Sequence, residues 1–167
     1  MISEQEPATY DVCIIGTGMS GMSAALFAAN RGFSTALIGS SGEIIFASGL
    51  LDLLGVHPIG ERKTWRDPWA GIAALKRSNP THPYARLTKK DILAAFDELL
   101  DFLEKSGIPY RRKIKGNSEV PTALGTTKLT YCVPRTMWRG VEALADKKPC
   151  LLVGIQGLKG FSAYQVA

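Results

Sequence analysis

The chain has 167 residues, 46% hydrophobic and 21% charged, with a formal net charge of +5 and a pI of about 9.2. That is the composition of a folded globular domain and excludes collagen-like, low-complexity and disulfide-dense classes. Its longest apolar runs are broken by glycine or charge, so no membrane-spanning helix is expected. Residues 1–9 are polar and acidic, lack the basic and apolar regions of a signal peptide, and read as a short disordered leader on a cytoplasmic protein.

Residues 10–15 (YDVCII) form an apolar run with the character of a buried parallel strand. GTGMSG follows at 16–21, then an alanine-rich helical stretch from 22 to 30, a closing Gly32, and a second strand at 34–38. In G-x-G-x-x-G each glycine has its own task. Gly16 permits the sharp turn out of the strand, Gly18 lets the backbone approach a pyrophosphate, and Gly21 lets the helix pack closely on the strand. The N–H groups of the first helical turn, with the helix dipole, then attract phosphate. Gly16, Gly18, Met19, Ser20 and Gly21 are therefore the expected phosphate-binding residues.

A dinucleotide site normally ends its second strand in Asp or Glu, which binds the adenosine ribose. Here that position is Gly39, followed by the neutral Ser40 and Ser41, and no arginine stands ready for a 2′-phosphate. The pattern weakens NAD, NADP and ordinary FAD binding alike. It suits FMN, or an FAD held by other contacts. Gly39, Ser40, Ser48 and Gly49 follow the strand's carboxyl end, where doubly wound folds bind their ligands, and Ser48–Gly49 is a candidate flavin contact.

Further along, residues 43–54 are apolar and read as a loop followed by a short helix. Asp67–Pro68 is a helix start leading into residues 69–77, and residues 79–84 form a turn-rich connection. Thr88 and Asp91 form a capping-box pair. Behind it Ile92, Phe96, Leu99, Leu100 and Leu103 make one helical stripe that Gly107 and Pro109 terminate. Residues 108–114, 129–133 and 150–155 are expected strands.

Cys13, Cys132 and Cys150 show no metal or iron–sulfur spacing. Cys13 and Cys150 are expected to be buried structural thiols. His57 and His82, each beside a proline, read as structural or exposed, and no catalytic acid or base stands out. The basic run Arg111, Arg112, Lys113 and Lys115 lacks the aromatic interleaving of a nucleic-acid surface and reads as a solvated loop, or one meeting an anionic partner.

Taken in order, FASGLLDLLG (46–55), HPY (82–84), PTALGT (121–126), TYCVP (130–134) and LLVGIQGLKGFSA (151–163) resemble the B subunit of the anaerobic glycerol-3-phosphate dehydrogenase. The resemblance runs from Tyr10 to the last residues. It implies a flavoprotein subunit, usually assigned FMN, in an enzyme that oxidises glycerol 3-phosphate to dihydroxyacetone phosphate and passes electrons to the membrane quinone pool. It implies two partners: the catalytic A subunit, which carries FAD, and an iron–sulfur protein that attaches the pair to the membrane.

The expected fold is α/β: a Rossmann-like flavin-binding βαβ with a parallel sheet, spanning 10–167, with the start of an inserted substrate or cap region at about 60–148. Family members are much longer, so the expectation is a fragment whose sheet is unfinished and which self-associates. Two other readings remain, an NAD(P)-dependent dehydrogenase domain and a cofactor-free docking subunit.

Overall fold

The computed structural model describes residues 9–40, 47–147 and 149–166. The expected leader (apart from Thr9), Ser41 and the start of the 43–54 run lie outside the described residues. The chain divides into two compact units, Met1–Ser48 and Gly49–Ala167. Among the described residues no helix is long and apolar enough to cross a membrane.

The first unit is the expected strand–helix–strand. β1 (Val12–Ile15) and β2 (Thr35–Ile38) pair in parallel, Val12 opposite Thr35 through Ile15 opposite Ile38, and α1 (Met19–Asn30) connects them. Parallel pairing requires such a crossover, and a hairpin cannot supply it. Gly32, at φ +81°, ends the helix, its N–H donating to the Ala29 carbonyl at 2.9 Å. At the strand entrances Asp11 and Ser34 clamp each other. The Ser34 hydroxyl and N–H both donate to Asp11 Oδ2, at 2.6 and 2.8 Å, and the Asp11 N–H donates to the Ser34 carbonyl at 3.0 Å. Cys13, expected to be buried, is exposed. Strand side chains alternate between faces; Val12 and Ile14 are half-buried, with Ile14 toward α1, whereas Cys13 and Ile15 point the other way and stay exposed.

The second unit carries the core. α2 (Pro68–Ser78) starts as expected: Asp67 Oδ1 accepts the Trp69 N–H at 2.9 Å and Pro68 occupies the first turn. Its Ile72 and Leu75 are buried. α3 (Lys89–Lys105) opens on the reciprocal Thr88–Asp91 box; the hydrogen bonds from Thr88 hold the Asp91 carboxyl below its usual range. Ile92 of its stripe is buried and Phe96 meets Tyr131 edge-on at 5.0 Å.

β3 (Tyr110–Arg111) pairs antiparallel with β6 (Val133–Pro134), and β4 (Ser118–Pro121) with β5 (Thr127–Thr130). A short 3₁₀ turn, Arg135–Met137, leads into α4 (Trp138–Asp146), and α5 (Ala163–Val166) is the last element. Val120, Val133 and Val141 form the buried centre, with Leu50 and Trp138 packed against it.

Three expectations change. Residues 47–54 hold no helix. Leu51 and Leu53 are buried while Asp52 between them pairs with Lys128 at 2.7 Å, a period of two that belongs to extended chain. Their carbonyls are taken from outside: Leu51 by the Cys132 N–H at 2.9 Å, Leu53 by the Tyr84 hydroxyl at 2.7 Å, Leu54 by Asn117 Nδ2 at 2.9 Å. A helix would need those same carbonyls. The expected strands at 108–114 and 129–133 shrink to β3, the end of β5 and β6, because the chain bends at Tyr131–Cys132 to reach Leu51. Residues 150–155 form no strand. Among the described residues nothing pairs with them, and Cys150, Leu151 and Val153 are exposed.

Candidate flavin phosphate site

The site is built where β1 turns into α1. Gly16 sits at φ +114°, a conformation that L side chains rarely adopt, and its N–H donates to the Ile38 carbonyl of β2 at 2.7 Å. Gly21 is pressed onto that turn: a Cβ there would lie 1.9 Å from the Gly16 carbonyl oxygen. Gly18 differs from both. It caps α1 at φ −74°, and a Cβ added to it would meet nothing within 4 Å. Neither backbone strain nor packing inside the chain calls for glycine at position 18.

The first helical hydrogen bond of α1 runs from the Met22 N–H to the Gly18 carbonyl at 3.0 Å. No side chain caps the helix and no acidic residue stands in its first turn. The N–H groups of Met19, Ser20 and Gly21 are thus left with the positive end of the helix dipole. They open onto a hollow of about 450 Å³ lined by Ile15, Gly16, Gly18, Met19, Ser20, Gly21 and Ala47.

All five residues expected from the glycine motif line this hollow. Gly39 lies behind it: a Cβ there would stand 3.1 Å from the N, Oγ1 and Cγ2 atoms of Thr17. Thr17 therefore crowds the place where the ribose-binding acid would begin. Its Oγ1 is buried and has no hydrogen-bond partner. Ser40 and Ser48 are exposed and do not line the hollow. Gly49 belongs to the second unit, where φ +73° accounts for its glycine and its carbonyl accepts the Tyr110 hydroxyl at 2.7 Å. Sequence reasoning missed Thr17, Ile15 and Ala47. Only Thr17 had a signal, as the residue between the first two glycines.

Both histidines have structural partners. His57 Nε2 lies 2.9 Å from Ser78 Oγ, and His82 Nδ1 accepts the Tyr84 N–H at 3.1 Å. Burial pushes the Cys132 thiol up to about 12, which makes it a poor nucleophile. Among the described residues no three His, Cys, Asp or Glu side chains are grouped as metal ligands.

Residues 11–165, nearly the whole chain, match the family model described as FAD binding domain. The chain belongs to the FAD-binding-domain family. Its βαβ start is the Rossmann-like α/β unit of such a domain, and the cofactor class is a flavin. The chain is also similar to proteins named as the B subunit of anaerobic glycerol-3-phosphate dehydrogenase. Identity is 30% with the protein of Vibrio vulnificus strain YJ016, over 91% of this chain and 34% of that one. It is 36% with that of Aliivibrio fischeri strain MJ11, over 73% and 27%. With that of Actinobacillus pleuropneumoniae serotype 5b strain L20 it is 28%, over 93% and 36%. The chain spans about a third of the length of these relatives. No solved structure matches.

The residues present fit the phosphate end of a flavin nucleotide. The uncapped α1 terminus supplies donors and positive potential, Gly18 leaves room, and Thr17 Oγ1 is a polar atom without a partner. No acidic side chain stands at Gly39 or Ser40 to hold an adenosine ribose.

Proposed function

We propose that this chain forms the nucleotide-binding part of a flavoprotein subunit in a respiratory glycerol-3-phosphate:quinone oxidoreductase. The observation that carries the reading is Gly18, a glycine that the chain itself does not need, placed at an uncapped helix terminus over an open hollow. The names of the relatives supply the substrate and the subunit organisation. In this reading electrons from glycerol 3-phosphate travel toward the membrane quinone pool. The protein works with two others, the catalytic A subunit, which carries FAD, and an iron–sulfur anchoring protein, peripheral to the inner face of the cytoplasmic membrane. Residues at about 60–148 belong to an inserted cap region, and the exposed apolar face of the β1–β2 pair is a surface for self-association when the chain is alone.

A bound flavin would supply the electron-transfer chemistry. The chain's own residues bind and orient it. Backbone N–H groups of Met19, Ser20 and Gly21 take the phosphate, Gly16 and Gly18 keep the approach open, and Ser40, Ser48 and Gly49 stand as candidate contacts to the rest of the nucleotide. FMN is the first choice, because Thr17 crowds Gly39 and no ribose acid follows β2. FAD is the alternative, favoured by the family match. The missing ribose contact also favours a second reading, a docking subunit that has lost its cofactor.

A visible spectrum of the purified protein, with chromatography of the cofactor released by heat, tests the proposal. Flavin bands are expected, and the released species decides between FMN and FAD. A colourless protein that takes up neither added flavin contradicts the proposal in favour of the docking subunit.

A further inference from the structure

The second unit gathers three arginines that are far apart in sequence. Arg111 ends β3, and its strand pairs with β6, which places Arg111 opposite Val133. The chain leaves β6 directly into Arg135, whose N–H donates to the Pro109 carbonyl at 2.8 Å, so the two arginines are bound to one short ladder. Arg139 follows one turn later at the start of α4. All three line one hollow of about 340 Å³ together with Trp138 and Glu142. The floor is fixed, since Val133 of β6 and Val141 of α4 belong to the buried centre and Trp138 packs on it.

Charge is unbalanced there. Glu142 pairs with Arg139 at 2.7 Å, while no carboxylate pairs with Arg111 or Arg135. The neighbouring Arg112 shows the usual alternative, for it pairs with Asp97 and lies over the Tyr131 ring. Three guanidinium groups facing one carboxylate repel one another, and a bound dianion relieves that repulsion. Guanidinium forks match phosphate oxygens, which favours phosphate over a monovalent ion. Trp138 adds a flat apolar wall, and a second hollow of about 560 Å³ on its other side adds Lys113.

We propose that the hollow between Arg111, Arg135 and Arg139 is a phosphate-binding site, separate in sequence from the glycine turn. Its ligand is a phosphate dianion, either free or as a monoester whose organic part rests on Trp138.

Calorimetric titration of the 167-residue chain with inorganic phosphate and with phenyl phosphate, at constant ionic strength, tests this. Saturable binding is expected for phosphate and none for chloride. Arg111→Gln and Arg135→Gln are each expected to weaken binding about tenfold, as for loss of one charge-assisted contact, and Lys115→Gln to leave it unchanged. Tryptophan fluorescence shows that each variant keeps its fold. Tighter binding of phenyl phosphate, with quenching that disappears in Trp138→Phe, identifies a monoester; equal affinities identify free phosphate. Binding that survives both arginine changes overturns the site. So does a response equal to that of chloride, or a short polyglutamate peptide that outcompetes phosphate and marks an acidic protein partner instead.

Discussion

The first unit has a clear motif and no buried side chain among its described residues, whereas the second has a buried core and no recognisable motif. Ile15 is 86% exposed and Val133 is 0% exposed, although both are β-branched residues of strands. The contrast separates two kinds of information in a chain. Local geometry of the glycine turn is written in consecutive residues and is complete with two strands and a helix. A core needs side chains from distant segments, and in the second unit Leu50, Val120, Val133, Trp138 and Val141 supply it. Glycine substitutions therefore act on ligand binding in the first unit, and truncations act on stability in the second.

The largest effect is expected from Gly21→Val. A Cβ 1.9 Å from a backbone oxygen cannot be accommodated without moving α1, so flavin binding is expected to vanish in a fluorescence titration. Trp65, Trp69 and Trp138 all lie in the second unit, so tryptophan emission is expected to stay native. A general loss of tryptophan signal would show that the units do not respond separately. Next, Val133→Ala opens a cavity at the buried centre and is expected to cost about 1–3 kcal/mol in urea unfolding followed by tryptophan emission.

Thr17→Val sharpens the account of the missing acid. If Thr17 Oγ1 serves the nucleotide, its loss weakens flavin binding about tenfold, the worth of one hydrogen bond, while Thr17→Ser keeps affinity near that of the parent. Equal affinity in all three proteins would leave Thr17 as packing against Gly39 alone.

The units also differ in pH response. Hydrogen bonds from the Ser34 hydroxyl and N–H hold the Asp11 carboxyl below its ordinary 3.8. A lowered pKa stabilises the fold above that ordinary value and ceases to do so as pH falls through the lower, folded one. The β1–β2 clamp is thus expected to weaken below about pH 4, seen as faster amide exchange at the strand entrances. Burial raises Cys132 from 9.0 to about 12, so its contribution is present below pH 9 and lost as pH climbs toward 12. Burial raises Tyr84, Tyr110 and Tyr131 as well, in the same direction. Unfolding of the second unit is therefore expected on the alkaline side. The smallest test is a thiol count: Cys13 and Cys150 are expected to react with an aromatic disulfide in the native protein, and Cys132 only after unfolding.

What was legible in the sequence follows the same division. The β1–α1–β2 unit, the Asp67–Pro68 start and the Thr88–Asp91 box are local patterns, and the structure shows each of them. The extended path of Leu51 to Leu54 was not legible, because Cys132, Tyr84 and Asn117 hold it from far along the chain. Cys13 and Cys150 misled for a related reason, since an apolar run shows that a segment can be buried and not that anything covers it. The Arg111, Arg135 and Arg139 hollow exists only through the pairing of β3 with β6, and its residues stand too far apart to read as a motif.

The most direct test of the central claim is a titration of FMN and FAD into the parent chain and into Gly18→Val. The structure leaves open space for a side chain at position 18 and an ordinary backbone, so the variant is expected to fold as the parent does. A flavin phosphate seated on the α1 terminus cannot share that space. The expected result is flavin binding by the parent and at least about a tenfold loss in Gly18→Val, with unchanged tryptophan emission. Equal flavin affinity in the two proteins, or none in the parent, would contradict the assignment of this turn as the flavin phosphate site.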